Sequence, residues 1–412
     1  MNYKIFPPDE LNYTSLLLPL SKSISNRVLI INALTGNKGT ITEVAQCDDT
    51  DVMTAALKSD DATVDIGAAG TAMRFLTAYF AQKEGCQITL TGSQRMTQRP
   101  IKILVDALRQ CGAAIDYVDN DGFPPLKISG RRLTGGELSL PANVSSQYIS
   151  ALLMVAPYME KGLTLTLEGN IVSLPYIKMT IALMERWGVK AQFDGNTIRV
   201  MPQEYKPTEF EVEADWSAAS YWFETAALTA SEIGLDGLYQ HTIQGDSKLT
   251  AIYPAFGVNS RWIDNELHLE PSPDLSPRLT LDLSEQPDLA QALTVTACML
   301  NIPFHFSGLS TLKIKETDRL AALHTELRKL GFEINVETGN SIDWEGERFP
   351  VDFSQPVSIA TYKDHRMAMA FAPIAYFLPG IIIEDADVVT KSYPTFWDDM
   401  KKMGFTIEEA TA

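Results

Sequence analysis

The chain has 412 residues, of which 45% are hydrophobic and 21% are charged, and its formal net charge is −18. This length and composition are typical of a globular protein with two or more domains. The negative charge argues against nucleic acid or an anionic membrane as a partner, because both would repel the chain. Small anions remain possible ligands wherever the 34 lysines and arginines are concentrated locally.

The N-terminal residues MNYKIFPPDE do not combine a basic segment with an apolar run. No stretch has the roughly eighteen consecutive apolar residues of a membrane span, so a cytoplasmic protein is expected. The four cysteines form no CxxC or Cys/His pattern, which predicts buried thiols in a reducing compartment and neither a disulfide framework nor a metal site. They are Cys47, Cys86, Cys111 and Cys298.

One α/β pattern recurs along the chain: an amphipathic helix, a glycine, and a short alternating strand. The glycines of the five clear copies are spaced 76, 69, 74 and 73 residues apart, and each lies where a helix needs a left-handed residue to end. A weaker copy at residues 55–67 precedes them, so six units account for the chain. The five glycines are Gly112, Gly188, Gly257, Gly331 and Gly404.

The six units divide into two groups of three. A Pro- and Glu-rich stretch around residues 201–215 is the candidate boundary. From composition and spacing alone, the segment up to Leu20 could belong to either half. The alternative interpretation is a generic succession of helices and strands, but the nearly equal spacings favour a repeat.

The first candidate site lies in LPLSKSISNRVLIINAL. Ser21 is a good N-cap, and Lys22, Ser23 and Arg27 occupy the first turns of the predicted helix. Cations at this end oppose the helix dipole, whereas a bound anion would be stabilised by the dipole and by free N–H groups. An anion site and a solvated basic turn explain this motif equally well.

Two further helix starts carry arginines. Thr71 and Arg74 follow the glycine-bearing turn of DIGAAGTAMRF, and Arg95 and Arg99 precede a helix begun by Pro100. The pattern GxxxxGK[ST] does not occur in the sequence, so no nucleotide is implied. Each signal is weak alone, but cations now occur at three helix starts.

Hydroxyl and amide groups open the next two predicted helices. Ser145, Ser146 and Gln147 suit a phosphate or a polyol without adding charge. N-capping explains a single serine more simply than it explains the whole set. For Ser173 and Tyr176, at the following helix start, capping and ligand binding are equally good explanations.

Carboxylates join the cations in the second half of the chain. Asp288 begins a very apolar helix, where it either caps the helix or acts as a general base. Lys315, Glu316 and Arg319 are consistent with a salt-bridged surface as well as with a site. Further candidates, all close to apolar helices, are Asp364, His365, Arg366 and Lys391.

Taken together, these motifs resemble the 5-enolpyruvylshikimate-3-phosphate synthase family of enolpyruvyl transferases. The segments, in family order, are SKSISNR, GTAMR, RMTQRP, VSSQ, SLPY, KETDR, DHRMAM and TKSYPTF, and they extend from residue 21 to residue 397. The resemblance implies an α/β fold of two similar domains, each with three βαβαββ units in a pseudo-threefold arrangement. We accordingly predict domains at 21–213 and at 1–20 with 214–412, and an active site in the cleft between them.

The resemblance also implies a reaction. The carboxyvinyl group of phosphoenolpyruvate moves to the 5-hydroxyl of shikimate 3-phosphate and phosphate is released, a step of the shikimate pathway to chorismate and aromatic amino acids. It implies no metal and no organic cofactor, a monomer in the cytoplasm, and the two small-molecule substrates as partners.

Carried over motif by motif, the resemblance gives the candidates three roles, and converging cations would relieve the repulsion between two anionic substrates. Residues that resemble shikimate 3-phosphate contacts are Lys22, Ser23, Arg27, Ser145, Ser146, Gln147, Ser173, Asp288, Thr311 and Lys315, with Tyr176 beside them. Residues that resemble the phosphoenolpyruvate clamp are Lys22, Gly70, Arg99, Gln147, Arg319, Arg366 and Lys391. Residues that resemble the proton-transfer groups are Asp288, as base for the 5-hydroxyl, and Lys315 and Glu316.

Two positions depart from the family pattern. Ala68 replaces a usual Asn, and Thr311 replaces a frequent Asn, so altered affinity is expected rather than lost activity. The alternatives are a UDP-N-acetylglucosamine enolpyruvyl transferase and a non-catalytic phosphate-binding homologue. The first uses a loop cysteine for which no cysteine here has a matching context, and the second would not need Asp288, Lys315 and Glu316.

Overall fold

The computed structural model describes residues 1–410. Its strands are β1 Tyr3–Phe6, β2 Thr14–Leu17, β3 Thr40–Ile41, β4 Thr63–Asp65, β5 Gln87–Thr91, β6 Ala114–Tyr117, β7 Leu126–Ser129, β8 Gly136–Pro141, β9 Leu163–Glu168, β10 Ala191–Asp194, β11 Thr197–Val200, β12 Glu209–Phe210, β13 Ile233–Asp236, β14 Phe256–Ile263, β15 Glu266–Leu275, β16 Leu279–Asp282, β17 Phe304–Ser307, β18 Ile342–Trp344, β19 Ser358–Ile359, β20 Ile381–Ile383 and β21 Thr406–Glu409. The α-helices are α1 Lys22–Leu34, α2 Asp48–Lys58, α3 Gly70–Gln82, α4 Lys102–Gln110, α5 Ser146–Val155, α6 Leu174–Arg186, α7 Trp216–Thr229, α8 Leu249–Ile252, α9 Ala290–Met299, α10 Arg319–Lys329, α11 His365–Phe371 and α12 Phe396–Lys402.

The chain folds into two compact units. The inserted unit is Ser21–Val212, and the split unit is Met1–Leu20 together with the chain from Glu213 onward. The N-terminal segment belongs to the split unit because its strands complete two sheets there. β1 pairs antiparallel with both β20 and β21, and β2 pairs in parallel with β13.

The split unit contains three sheets, whose strand orders are β19-β20-β1-β21, β14-β15-β13-β2 and β16-β17-β18. Strands alternate with helices, for example as β16-α9-β17-α10-β18. Helix α7 packs against α9 and α11, and α9 also packs against α11. Almost every residue of α9 and α11 is buried, so the core of this unit surrounds these three helices.

The inserted unit also contains three sheets, with strand orders β4-β5-β7-β6, β10-β11-β9-β8 and β12-β3. The orders β4-α3-β5-α4-β6-β7 and β8-α5-β9-α6-β10-β11 are complete βαβαββ units, whereas the third is reduced to α1-β3-α2 with β12. Helices α1, α3, α5 and α6 pack together. The starts of these four helices carry most candidate residues of this unit, and Arg99 lies in the loop before α4.

The five repeat glycines all have left-handed backbones, with φ between 75° and 99°. Two copies differ from the predicted helix, glycine and strand. Before Gly257 the α-helix is short and continues as a 3₁₀ helix, Tyr253–Ala255, because Pro254 has no N–H to continue the α-helical ladder. After Gly331 there are only isolated bridges, Phe332 to Arg348 and Asn335 to Asp343, whose registers differ by two residues and so interrupt the ladder.

The cysteines are free thiols. Cys47, Cys111 and Cys298 are buried, as predicted, and Cys86 is partly buried. Within residues 1–410, no helix is both long and apolar enough to cross a membrane.

Gly130 offers a test of the packing at the end of α3. A Cβ at this position would lie 1.9 Å from the carbonyl oxygen of Lys83 and 2.5 Å from that of Phe80, and neither backbone can move freely. We expect Gly130→Ala to lower the free energy of unfolding in urea by about 3 kcal/mol. Gly85→Ala is the control, because its φ is +75° and nothing lies within 4 Å. It should cost about 1 kcal/mol, and an equal cost for both variants would contradict this account.

Candidate active site

The predicted site residues fall on both units. The inserted unit carries Lys22, Ser23, Arg27, Gly70, Arg99, Ser145, Ser146, Gln147 and Ser173, and the split unit carries Asp288, Thr311, Lys315, Glu316, Arg319, Arg366 and Lys391. Most of them lie at or near the start of a helix, as the sequence predicted.

In the inserted unit, Lys22 is the first residue of α1. The hydroxyl of Ser21 caps this helix by accepting from the N–H of Ile24. The Lys22 ammonium lies 3.4 Å from the carboxylate of Asp49, which is buried in the first turn of α2. Sequence analysis missed Asp49, although its position in an acidic first turn was visible in CDDTD.

Arg27 is almost completely buried within α1, at 2% exposure. Its guanidinium donates to the Thr180 hydroxyl at 2.8 Å, to the Ser150 hydroxyl at 3.2 Å and to the Ser23 carbonyl at 2.8 Å. The rings of Phe75 and Tyr176 lie within 6 Å of it. Burial lowers the pKa of Arg27 to about 10, which leaves it fully charged at neutral pH.

The start of α3 and the loop before α4 are joined by arginines. A Cβ on Gly70 would lie 2.5 Å from a terminal nitrogen of Arg99, so only glycine leaves room for this guanidinium. Arg74 donates to the Gly70 carbonyl at 3.0 Å and to the Pro100 carbonyl at 3.4 Å. Tyr148, at the start of α5, donates to the same Pro100 carbonyl at 2.6 Å.

The α5 and α6 starts supply the predicted hydroxyl and amide groups. Ser145 is the N-cap of α5, where its hydroxyl accepts from the N–H of Gln147, and the Gln147 amide donates to Thr71 on α3 at 3.0 Å. Ser173 is the N-cap of α6 and has a left-handed backbone with φ 55°, without a capping hydrogen bond from its side chain. The Ser173 hydroxyl therefore does not cap the helix.

In the split unit, one carboxylate gathers three cations. Asp288 lies in a 3₁₀ turn, Pro287–Leu289, immediately before α9. Its oxygens lie 2.8 Å from Arg319, 3.3 Å from Lys315 and 3.3 Å from Arg366. Arg366 also donates to the Asp288 carbonyl at 3.1 Å. Asp288 is therefore the centre of a charge cluster and not a helix cap.

Two further carboxylates complete this cluster. Glu316 lies 2.8 Å from Lys391 and 3.1 Å from Arg319. The fully buried Asp364 accepts from Arg319 at 2.6 Å and from the backbone N–H of Arg366 at 2.9 Å. Asp364 therefore both caps α11 and aligns a cation of the cluster.

The surroundings move the pKa values of these groups in different directions. Burial alone would raise the pKa of Asp288, but its cationic neighbours, Arg366 first, outweigh burial and hold that pKa well below its usual range. Burial lowers the pKa of the Lys315 ammonium, and the nearby Asp288 offsets part of this effect. Asp288 is thus held as a carboxylate.

The turn that presents Asp364 and Arg366 is strained. Tyr362 and Lys363 both have left-handed backbones, with φ 54° and 58°. The buried carboxylate of Glu326 fixes this turn, because it accepts from the Tyr362 hydroxyl at 2.6 Å and from the Ala360 N–H at 3.1 Å. The sequence did not reveal this device, since both residues look ordinary in a surface loop.

The positions that depart from the family pattern occupy different surroundings. Ala68 is exposed in the turn before α3. Thr311 lies in a 3₁₀ helix, Ser310–Ile314, and within the described chain its buried hydroxyl oxygen has no hydrogen-bond partner. Residues 1–410 contain no group of three or more His, Cys, Asp or Glu side chains arranged to hold a metal ion.

Solved structures establish the fold. An EPSP synthase from Acinetobacter baumannii superposes with a TM-score of 0.75 over 100% of both chains, at 21% sequence identity. A second structure from the same organism gives a TM-score of 0.73 over 99% of this chain and 100% of the other, at 20% identity. The chain therefore has the predicted enolpyruvyl transferase fold.

Sequence relatives establish the family. A relative from Bacteroides fragilis, named 3-phosphoshikimate 1-carboxyvinyltransferase, is 49% identical over 410 residues, which are 99% of each chain. A relative of the same name from Shewanella pealeana is 36% identical over 94% of this chain and 96% of its own. The family model of EPSP synthase (3-phosphoshikimate 1-carboxyvinyltransferase) matches residues 57–400. The chain belongs to the EPSP synthase family, which confirms the resemblance seen in its motifs.

Asp246 offers a test of the electrostatics beside the split-unit cluster. It is a buried carboxyl that accepts from the Ser217 hydroxyl, and burial raises its pKa to about 6. Below pH 3.8 Asp246 is protonated in both the folded and the unfolded chain, and its full contribution to stability is present. As the pH rises from 3.8 through 6, the unfolded chain loses this proton more readily than the folded protein, and the contribution is lost. Relative to Asp246→Asn, the free energy of unfolding of the wild type should therefore fall by about 3 kcal/mol between pH 3.5 and pH 7.

Urea unfolding at several pH values measures this difference. The control is Asp274→Asn, which changes an exposed carboxylate on β15 and should follow the wild-type profile. If Asp246→Asn also followed the wild-type profile, Asp246 would not be a buried, titrating group.

Proposed function

We propose that the chain transfers the carboxyvinyl group of phosphoenolpyruvate to the 5-hydroxyl of shikimate 3-phosphate and releases phosphate. The proposal rests on membership of the EPSP synthase family. A relative named for this activity is 49% identical over 410 residues. The enzyme is a transferase of the shikimate pathway, which leads to chorismate and aromatic amino acids. Its partners are the two small-molecule substrates, while a cytoplasmic monomer and a site in the cleft between the domains stay predictions.

Both substrates are anions, and the residues proposed to contact them belong to both units. Shikimate 3-phosphate is assigned to Lys22, Ser23, Arg27, Ser145, Ser146, Gln147, Ser173, Asp288, Thr311 and Lys315. Phosphoenolpyruvate is assigned to Lys22, Gly70, Arg99, Gln147, Arg319, Arg366 and Lys391. The cations reduce the repulsion between the substrates, so that the 5-hydroxyl can approach the enol carbon.

Asp288 is the base for the 5-hydroxyl. Its cationic neighbours, Arg366 first, hold its pKa well below the usual range, which makes it a weak base. Anionic substrates compete with Asp288 for Lys315, Arg319 and Arg366, and this competition raises its pKa. The carboxylate therefore gains basicity when both substrates are bound, which favours removal of the hydroxyl proton at that moment.

The second proton transfer involves Lys315 and Glu316. The hydroxyl oxygen bonds to C2 of phosphoenolpyruvate while C3 gains a proton, which gives a tetrahedral adduct. Loss of a proton from C3 and departure of phosphate then restore the double bond. Burial lowers the pKa of Lys315, which eases proton release from its ammonium, and Glu316 is held by Lys391 and Arg319.

A phosphate-release assay tests the function and the base together. The wild type should release phosphate from phosphoenolpyruvate with shikimate 3-phosphate as acceptor and not with UDP-N-acetylglucosamine. Asp288→Asn keeps the shape but not the basicity, so turnover should fall by about 100-fold or more while shikimate 3-phosphate still binds. No phosphate release by the wild type would overturn the proposed function.

Asp318→Asn is the matched control. Asp318 is the N-cap of α10, and asparagine caps helices equally well, so the turnover of Asp318→Asn should stay near the wild-type value. Normal turnover in Asp288→Asn would remove Asp288 from the mechanism but leave the overall reaction intact.

Gly70→Ala tests the phosphoenolpyruvate assignment. The added Cβ would displace the Arg99 guanidinium, which it would approach to 2.5 Å. The KM for phosphoenolpyruvate should rise by about tenfold, which corresponds to about 1.4 kcal/mol of binding. The KM for shikimate 3-phosphate, measured in the same experiment, should change less than twofold. An equal rise in both KM values would show a general disturbance of the unit instead.

A further inference from the structure

Arg27 is fixed by two hydroxyl groups that lie far from it in sequence. Thr180 is in the second turn of α6, and Ser150 is in the interior of α5, and both side chains are fully buried. The Arg27 Nε donates to Thr180 and a terminal nitrogen donates to Ser150. The two hydroxyl oxygens lie 2.8 Å apart.

The hydrogens of this network have one consistent order. Thr180 has a single hydroxyl hydrogen, and it points to the carbonyl of Tyr176 one helical turn earlier, at 2.9 Å. Between the two hydroxyls, Ser150 must therefore be the donor and Thr180 the acceptor. The lone pairs that remain on both oxygens face the guanidinium, so a helix backbone sets the direction of the whole network.

Every hydrogen-bond partner of Arg27 is uncharged. The three acceptors are two hydroxyls and the Ser23 carbonyl, and among residues 1–410 no carboxylate pairs with it. In the split unit, by contrast, Arg319 contacts the carboxylates of Asp288, Glu316 and Asp364. An ion pair would orient Arg27 as well, but it would also neutralise the charge that an anionic ligand needs.

We propose that Thr180 and Ser150 are positioning residues, which hold the Arg27 guanidinium in place without neutralising its charge. This inference rests on the proposed function in so far as Arg27 contacts shikimate 3-phosphate. The hydroxyl pair thereby increases selectivity for an acceptor substrate with an anionic group, because Arg27 offers that group an undiminished positive charge.

The principal test compares Thr180→Val with Thr180→Ser in the full chain. Valine has nearly the same shape but cannot accept from Arg27, whereas serine can. By isothermal titration, Thr180→Val should bind shikimate 3-phosphate about tenfold more weakly, a loss of about 1.4 kcal/mol, and Thr180→Ser should bind it nearly as the wild type does. For Thr180→Val, the KM for shikimate 3-phosphate should rise by a similar factor while kcat changes less than twofold.

Thr77→Val is the matched control. Thr77 is also a fully buried helical threonine whose hydroxyl donates to the carbonyl four residues earlier, that of Met73, at 2.6 Å. It lacks the contact with Arg27, so its binding of shikimate 3-phosphate should match the wild type. Equal losses in both valine variants would reduce Thr180 to a packing role and overturn the proposal.

A measurement without substrate separates this inference from the proposed function. The Nε–H signal of Arg27 in nuclear magnetic resonance, assigned by its loss in Arg27→Lys, should exchange slowly with water in the wild type and in Thr180→Ser. In Thr180→Val it should exchange at least about tenfold faster, because this N–H has lost its acceptor. Slow exchange in Thr180→Val would overturn the positioning role, whether or not shikimate 3-phosphate binds.

Ser150→Asp tests the importance of neutral partners. A carboxylate there should keep Arg27 ordered, with slow exchange, yet weaken binding of shikimate 3-phosphate further than Ser150→Ala does. If Ser150→Asp bound the substrate as tightly as Ser150→Ala, the requirement for an uncharged partner would be refuted.

Discussion

A guanidinium buried away from water needs partners for its N–H groups, and the two units meet this need in different ways. Arg27 and Arg319 are both only 2% exposed. The inserted unit surrounds Arg27 with hydroxyls and a carbonyl, and the split unit surrounds Arg319 with carboxylates. Either arrangement satisfies the donors, but only the first leaves the positive charge uncompensated. The kind of partner therefore decides how each arginine responds to an anion.

In the split unit, an anionic ligand has to compete with carboxylates that are already in place. Taking several charges out of water is costly, and such clusters seldom add to stability. The cluster is better understood through its chemistry. Because Asp288 shares its oxygens among three cations, any anion that engages those cations also changes the basicity of Asp288. In the proposed reaction, substrate binding and the basicity of Asp288 are thereby coupled through the same contacts.

Local features of the fold could be predicted from the sequence, because they depend on neighbouring residues. Ser21 and Ser145 do cap helices, and each of the five repeat glycines has the left-handed backbone that a helix end requires. The interrupted strand after Gly331 was not predictable, since it depends on the register of a partner segment.

The candidate site shows the same division. The cations at the helix starts were visible in the motifs. The groups that orient them were not: Thr180 and Ser150 lie in helix interiors and look like ordinary core positions, and Asp49 pairs with a lysine on another helix. Asp364 was recognised only as a candidate close to an apolar helix, and nothing local to DHRMAM showed that it binds Arg319. These contacts arise from helix packing, which a single sequence does not encode in a readable pattern.

Strained backbone recurs where segments with candidate residues begin. Ser173 precedes α6, Lys363 precedes the Asp364 cap of α11, and Asp385 precedes the 3₁₀ helix that ends at Lys391, all with positive φ. Each such residue costs about 1 kcal/mol or more, so surrounding contacts must hold it.

For the turns at Lys363 and Asp385, those contacts come from residues outside the candidate site. Glu326 fixes the turn at Tyr362, and the N-terminal residues fix the turn at Asp385, because Asn2 accepts from the Asp385 N–H at 3.1 Å and the Met1 carbonyl accepts from the next N–H, that of Ala386, at 2.7 Å. None of these bonds involves a cation of the cluster. These two helix starts are therefore held by contacts outside the cluster, which do not depend on the ion pairs among Asp288, Glu316 and their partners.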